Sequence, residues 1–246
     1  MINPTDPELL RVLNEGQIEV QGEFLWGSNY TFFVQLKFNE TEYKAVYKPT
    51  RGERPLWDFP SASLGRREAA AYLVSNFLGW ELVPPTVFRR KGPIGAGSLQ
   101  WYVEHDPNYH YFTFNKADLQ RLRPTVLFDL IINNADRKGS HILKDKDEHL
   151  WLIDHGLCFH VEDKLRTVIW DFIGEKFPTG LCDDMEGFRL SLAALTSQTS
   201  EVSAQLLQYL NPAELRALAR RIDNLLAARQ FPAPDPSRRP YPWPQV

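Results

Sequence analysis

Cysteine is nearly absent from this chain: two in 246 residues, Cys158 and Cys182. Two thiols cannot build a disulfide framework or a four-cysteine zinc site. Charge of one sign is also lacking, with 28 Lys+Arg against 31 Asp+Glu and a formal net charge of −3. There is thus no broad basic footprint, and nucleic acid is not an expected partner. No apolar run approaches the ~20 residues needed to span a bilayer, so no integral membrane segment is expected. The start, Met1-Ile2-Asn3-Pro4-Thr5-Asp6, lacks the basic opening and apolar stretch of a secretory signal. Hydrophobic residues at 43% and charged residues at 24% exclude wholesale disorder. The expectation is a soluble, cytoplasmic protein forming one large domain or two lobes around a cleft.

The front half reads as strands. Residues 30–38 are aromatic and β-branched, residues 43–48 alternate, and the polar Asn39-Glu40-Thr41 between them predicts an antiparallel hairpin. Residues 50–63 read as a loop after Pro49 and Gly52. An alanine-rich helix is expected from Leu64 to Leu78, stopped by Gly79. Strands are expected over Val83–Phe88, beginning late or lying at an edge because of Pro84 and Pro85, and over Leu99–Glu104. From residue 116 the periodicity turns helical: one helix over 117–133, a short strand pair near 142–143 and 150–153, then helices over 183–195 and 199–210. A last helix carries Asn211 as N-cap, Pro212 in the first turn, Glu214 for a reciprocal cap and a stripe of Leu215, Leu218, Ile222 and Leu225. The Pro-rich tail, 231–246, should form an extended arm or a strap, and is a candidate partner-binding segment. The organisation predicted is α+β: an N-lobe at 1–104, a C-lobe at 105–230 and the tail.

Four features could carry chemistry. Lys48 ends a strand just before Pro49, where an ammonium can reach a phosphate as a point charge; taken alone it reads better as an exposed strand-end lysine. Glu68 is expected in the first turn of the alanine-rich helix, where the helix dipole alone favours an acid, or where it orients Lys48. Asp136, beside Arg137 in the polar loop 133–141, could align a hydroxyl and accept its proton, or belong to a helix-terminating turn. Asp154 follows a strand and precedes Gly156 by two residues; such a carboxylate can hold Mg²⁺ on phosphate oxygens, although an isolated Asp-x-Gly is common in turns.

The order of these parts, lysine, glutamate, loop aspartate, strand-end aspartate, is that of kinases. The sequence resembles the atypical kinases that include type II phosphatidylinositol 4-kinases, HipA-type kinases and small bacterial phosphatidylinositol 3/4-kinase-like proteins. The segments that carry the likeness are 27–34, Ala45-Val46-Tyr47-Lys48-Pro49, 67–74 with 82–86, 99–104, 129–137 and 152–157. The resemblance implies a two-lobed protein-kinase-like fold and an ATP-dependent phosphotransferase using ATP and Mg²⁺, or Mn²⁺. It further implies that Ser28 and Asn29 cover the phosphates, that Lys48 binds them and that Glu68 orients Lys48. Backbone near Tyr102, Val103 and Glu104 would take adenine. Asp136, with Arg137, would be catalytic, and Asp154 and His141 would face the metal.

His141 stands where the family usually has an asparagine ligand. Magnesium prefers oxygen, so this imidazole could serve a softer ion, contact phosphate or pack. A pseudokinase switch that binds nucleotide without catalysis is therefore an alternative, as is an AMP transferase. Residues 159–180 carry mixed charge rather than a polyphosphate pocket, and the palmitoylated cysteine cluster of type II lipid kinases is missing. A protein or small-molecule hydroxyl is thus preferred to a phosphatidylinositol as acceptor.

Overall fold

The alternating pattern of the front half becomes an antiparallel sheet. The computed structural model describes residues 6–24, 30–192 and 200–246. Along the chain come α1 (Pro7–Glu15), β1 (Gln17–Phe24), β2 (Thr31–Phe38), β3 (Thr41–Pro49), α2 (Leu64–Phe77), β4 (Thr86–Arg89) and β5 (Gly97–Trp101). The strands lie in the order β1-β2-β3-β5-β4 with every pair antiparallel. The β2–β3 hairpin turns at Asn39 and Glu40, both at positive φ (48° and 63°), the twist that suits a tight hairpin. β4 starts only after Pro84 and Pro85 and forms an edge, where a missing N–H costs no ladder bond. The expected strand 99–104 ends at Trp101.

α1 is not among the elements expected from the sequence, whose first hundred residues read mostly as strands. Its local signals are nonetheless complete: Asp6 caps the Glu8 N–H, Pro7 opens the first turn, and Val12 and Leu13 are buried. They pack with Val34, Leu36, Ala45 and Leu99 as the core of the first lobe.

The second lobe contains α3 (Lys116–Gln120), α4 (Arg123–Ile132), β6 (Ile142–Lys144), β7 (Leu150–Leu152), α5 (Thr179–Leu192), α6 (Glu201–Leu206) and α7 (Pro212–Ala228). The single helix expected over 117–133 is two, because Pro124 lacks an N–H and takes the first turn of a new helix. α5 begins earlier than expected, and α6 ends at Leu206 rather than 210; the remainder of those two expectations, 193–199, lies outside the described residues. α7 has the reciprocal cap of Asn211 and Glu214, and its stripe enters a core shared with α2, α4 and α5. The tail is a strap: the Pro240 carbonyl accepts from Thr167 N–H at 3.0 Å, and the Gln245 carbonyl from Gly139 N–H at 2.8 Å. The fold is α+β and two-lobed, with a β-rich first lobe and a mainly helical second. No helix among the described residues is long and apolar enough to cross a membrane.

Candidate active site

β3 alternates, so Tyr47 enters the sheet core while Lys48 faces the opposite side, toward the second lobe. α2 lies close over β5; a side chain at Gly65 would stand 3.0 Å from the Ser98 backbone nitrogen. That approach brings Glu68 to Lys48. Glu68 lies in the second turn of α2, beyond the reach of the helix dipole that the sequence reading invoked, and its burial answers to partners instead. One of its oxygens is 2.6 Å from Lys48 Nζ, and the other accepts the His155 backbone N–H at 3.0 Å.

Asp154 follows β7 in a left-handed backbone conformation (φ 61°), sparsely populated for a residue with a Cβ. Its carboxylate lies 3.0 Å from Lys48 Nζ, and about half of its side-chain surface remains open. Burial opposes the Lys48 charge, but the carboxylates of Asp154 and Glu68 outweigh it and its pKa is raised. Burial also opposes the Asp154 charge; Lys48, then His141, overcome it and hold that carboxyl well below the usual range. His141 Nε2 sits 3.3 Å from Asp154, and burial lowers the imidazole to about 4, so the ring is neutral at pH 7.

Asp136 opens onto the same small pocket, of about 140 Å³, as Lys48, Glu68 and Asp154. Its backbone N–H is held by Asn134 Oδ1 at 3.0 Å, an Asx turn that sets the direction of the carboxylate. Burial raises its pKa to about 6; Lys138, 3.5 Å away, opposes that shift and Asp154 adds to it.

Arg137 stands behind this pocket rather than in it. It is fully buried, bonded through Nε and Nη2 to Asp129, through Nη1 to the carbonyls of His141 and Ile153, and through Nη2 to His155 Nε2. A direct role on substrate is therefore replaced by one of positioning: this guanidinium ties α4 to the open end of the β6–β7 pair, where β6 begins and β7 ends. Since Arg137 donates to Nε2, the neutral His155 ring carries its proton on Nδ1. Asn133 and Asn134 bind the segment after Asp154, through the carbonyls of His160 and Glu162 and the N–H groups of Lys164 and Arg166.

The expected adenine segment continues β5. Tyr102 N–H is taken by the Lys44 carbonyl, Val103 packs on Leu143 and Trp151, and the Glu104 carboxylate pairs with Lys44 at 2.5 Å. Ser28 and Asn29 lie outside the described residues. Sequence reasoning missed Asp129 and Lys138. An acid inside the apolar run Leu127-Phe128-Asp129-Leu130-Ile131-Ile132 was the available sign for the first; the second had none beyond its place two residues after Asp136.

For a metal, the protein offers a partial donor set: one carboxylate, Asp154, with one imidazole beside it. Among the described residues no group of three His, Cys, Asp or Glu side chains could hold an ion unaided. Such a set fits a cation that arrives with, and is mostly ligated by, phosphate and water, as Mg²⁺ does.

Two lobes, with a lysine, a glutamate and two aspartates brought together between them, make this a kinase-like fold. The sequence matches the phosphatidylinositol 3- and 4-kinase family over residues 66–188, and the chain belongs to that family. Protein Rv2133c of Mycobacterium tuberculosis (strain ATCC 25618 / H37Rv) is 37% identical over 268 residues, covering 95% of this chain and 94% of its own length. Among solved structures, that of hydra Fam20 with sugar has a TM-score of 0.57 at 14% identity, covering 89% of this chain and 86% of the other. The Helicobacter pylori proinflammatory kinase CtkA has a TM-score of 0.47 at 12% identity, with 87% and 97% covered.

Proposed function

We propose that this chain is an ATP-dependent phosphotransferase that moves the γ-phosphate to a hydroxyl of a protein or small molecule. The observation that carries the reading is the meeting of Lys48 with Glu68 and Asp154, at 2.6 and 3.0 Å, from segments up to 106 residues apart. In this reading Glu68 holds Lys48 extended, and Lys48 turns from Asp154 to the nucleotide phosphates. Asp154, ionised under all ordinary conditions, would hold the Mg²⁺, with His141 beside it. The bound Mg²⁺ supplies charge neutralisation on the phosphates. Asp136, raised toward neutral pH, accepts the acceptor hydroxyl's proton, and Lys138 shares the developing charge. Backbone near Val103 takes the base. Arg137 keeps Asp136 and Asp154 in register through Asp129 and the Ile153 carbonyl.

The acceptor side favours a soluble substrate over a phosphoinositide headgroup. Lys164 is already paired with Asp58 at 3.0 Å and Glu162 at 3.7 Å, so it offers little free charge to a polyphosphate. The reading is tested by calorimetric titration of Mg²⁺ and ATP into the native chain and Asp154→Ala, together with labelled γ-phosphate transfer. Binding present in the native chain and lost in the variant supports the site; equal binding removes Asp154 from it.

His141 favours a second reading, a nucleotide-binding switch without catalysis, because a neutral imidazole replaces an oxygen ligand beside Asp154. ATP binding with no transfer to any acceptor, and no change on Asp136→Asn, would decide for it.

A further inference from the structure

One cavity lies remote from the Lys48 cluster. It measures about 430 Å³, within the ~300–1,000 Å³ range of small-molecule sites, against about 140 Å³ between the lobes. It is bounded by α4, α7, the segment after Asp154 and the C-terminal strap. Leu130, Leu165, Leu225 and Pro240 give it apolar walls.

Its charges do not balance. Arg238 is neutralised by Asp163 at 3.0 Å and Asp235 at 3.3 Å, and also donates to the Asp163 carbonyl. Arg221 spends two of its nitrogens on neutral acceptors, the Ile131 and His160 carbonyls. Arg220, its exposed neighbour on α7, makes no hydrogen bond or ion pair among the described residues. Three arginines against two aspartates leave one positive charge at an apolar cavity. Burial lowers Arg221 to about 10, with Asp163 resisting and Arg220 adding to the fall, so the guanidinium stays charged without a close carboxylate of its own. Two donors on the walls, Arg221 Nη2 and Trp170 Nε1, are buried without a partner. Buried donors are rarely left so. Both atoms are covered as the chain stands.

We propose that this cavity is a second ligand site, for a small molecule carrying one anionic group on an apolar body, with Arg220 and Arg221 meeting the anion and the strap closing over the apolar part. The site stands independently of the nucleotide reading. It also lies against the segment that the Asp136 loop grips: Arg166 N–H bonds the Asn134 carbonyl, and Arg137 N–H bonds the Arg166 carbonyl.

The probe is 1-anilinonaphthalene-8-sulfonate, one sulfonate on an aromatic body, titrated into the full chain by its emission. Expected is saturable one-to-one binding, indifferent to excess Mg²⁺ and ATP and to Lys48→Met. Arg220→Glu should weaken it at least tenfold, Arg220→Lys less than threefold, and Ala233→Trp, which fills the cavity from the strap, should abolish it. Arg220 and Ala233 are exposed, so these variants should unfold at the native urea midpoint, measured alongside. No saturable binding would overturn the proposal, as would binding undiminished in Arg220→Glu and Ala233→Trp (an adventitious additive only). Displacement by ATP together with loss in Lys48→Met would place the dye between the lobes and also overturn it.

Discussion

Replacing Glu68 by glutamine removes one charge and almost no volume. In the native chain both carboxylate oxygens are engaged, one by the Lys48 ammonium at 2.6 Å and one by the His155 N–H at 3.0 Å. Hydrogen bonds to charged groups contribute roughly 1.5–3 kcal/mol. A glutamine oxygen can serve only one of these donors, and its amide nitrogen then meets the other. Breaking a fully buried ion pair costs about 3–5 kcal/mol, but that figure is too large here. Lys48 keeps Asp154 at 3.0 Å, and about a quarter of its side chain is open to solvent. The expected loss is therefore about 1.5–3 kcal/mol at pH 7, read as a lower urea midpoint at unchanged slope. If Glu68 acts by orienting Lys48, the same energy corresponds to a roughly 10–150-fold fall in kcat/KM, mostly through the KM for ATP. In a Lys48→Met background the glutamine should cost much less, since the partner is already gone. An unchanged midpoint with kcat/KM within threefold of native would refute this reasoning, leaving Asp154 as the sole constraint on Lys48.

Asp136→Asn tests the raised carboxyl. The folded chain holds that proton up to about pH 6, whereas the unfolded chain releases it near 4, so stability falls as pH rises across that window. The asparagine variant should be more stable than native at pH 7.5 by on the order of 1–2 kcal/mol once the carboxylate's partial exposure is allowed for, read as a higher unfolding temperature, with no gain at pH 4. If the chain is the proposed phosphotransferase, its kcat/KM should climb through about pH 6, because only the ionised carboxylate accepts a proton; a flat profile would remove Asp136 as the base. Arg67→Met leaves the Glu214 carboxylate with no cation and only the Asn211 N–H, since Arg67 is buried, bonded to Glu214 and to the Cys158 carbonyl, and stacked 5.0 Å over Phe59. Chemical denaturation should show a loss of about 3–5 kcal/mol, partly recovered by adding Glu214→Leu; a loss under 1 kcal/mol contradicts the pair's role. Ending the chain at Arg238 removes the strap's bonds to Thr167 and Gly139. Amide exchange at those two positions should then accelerate at least tenfold, and unchanged rates would mean the strap bears no part in holding the Asp136 loop.

Legibility followed the range of the interaction. The β2–β3 hairpin and the capped start of α7 are written in adjacent residues, and both could be read from them. The division of the 117–133 helix was equally local, in Pro124, but the apolar period runs on across it and masked the break. Arg137 misled because a polar loop of Asn, Asp, Arg and Lys gives no sign of which cation turns inward. Its partner Asp129 is eight residues back, on the buried side of α4. The strap's course could not be read either, since its bonds run through carbonyls that every sequence possesses.

By itself the sequence determined which chemical groups exist, their order along the chain and the local structures that carry them, because period, capping and turn preference act over a few residues. Only the tertiary structure decided that Lys48, Glu68 and Asp154 meet, that Arg137 faces away from them, and that burial raises the Asp136 carboxyl while Lys48 holds that of Asp154 below its usual range. Those outcomes depend on through-space distance and on the loss of water around each charge, and neither is a property of neighbours in the chain.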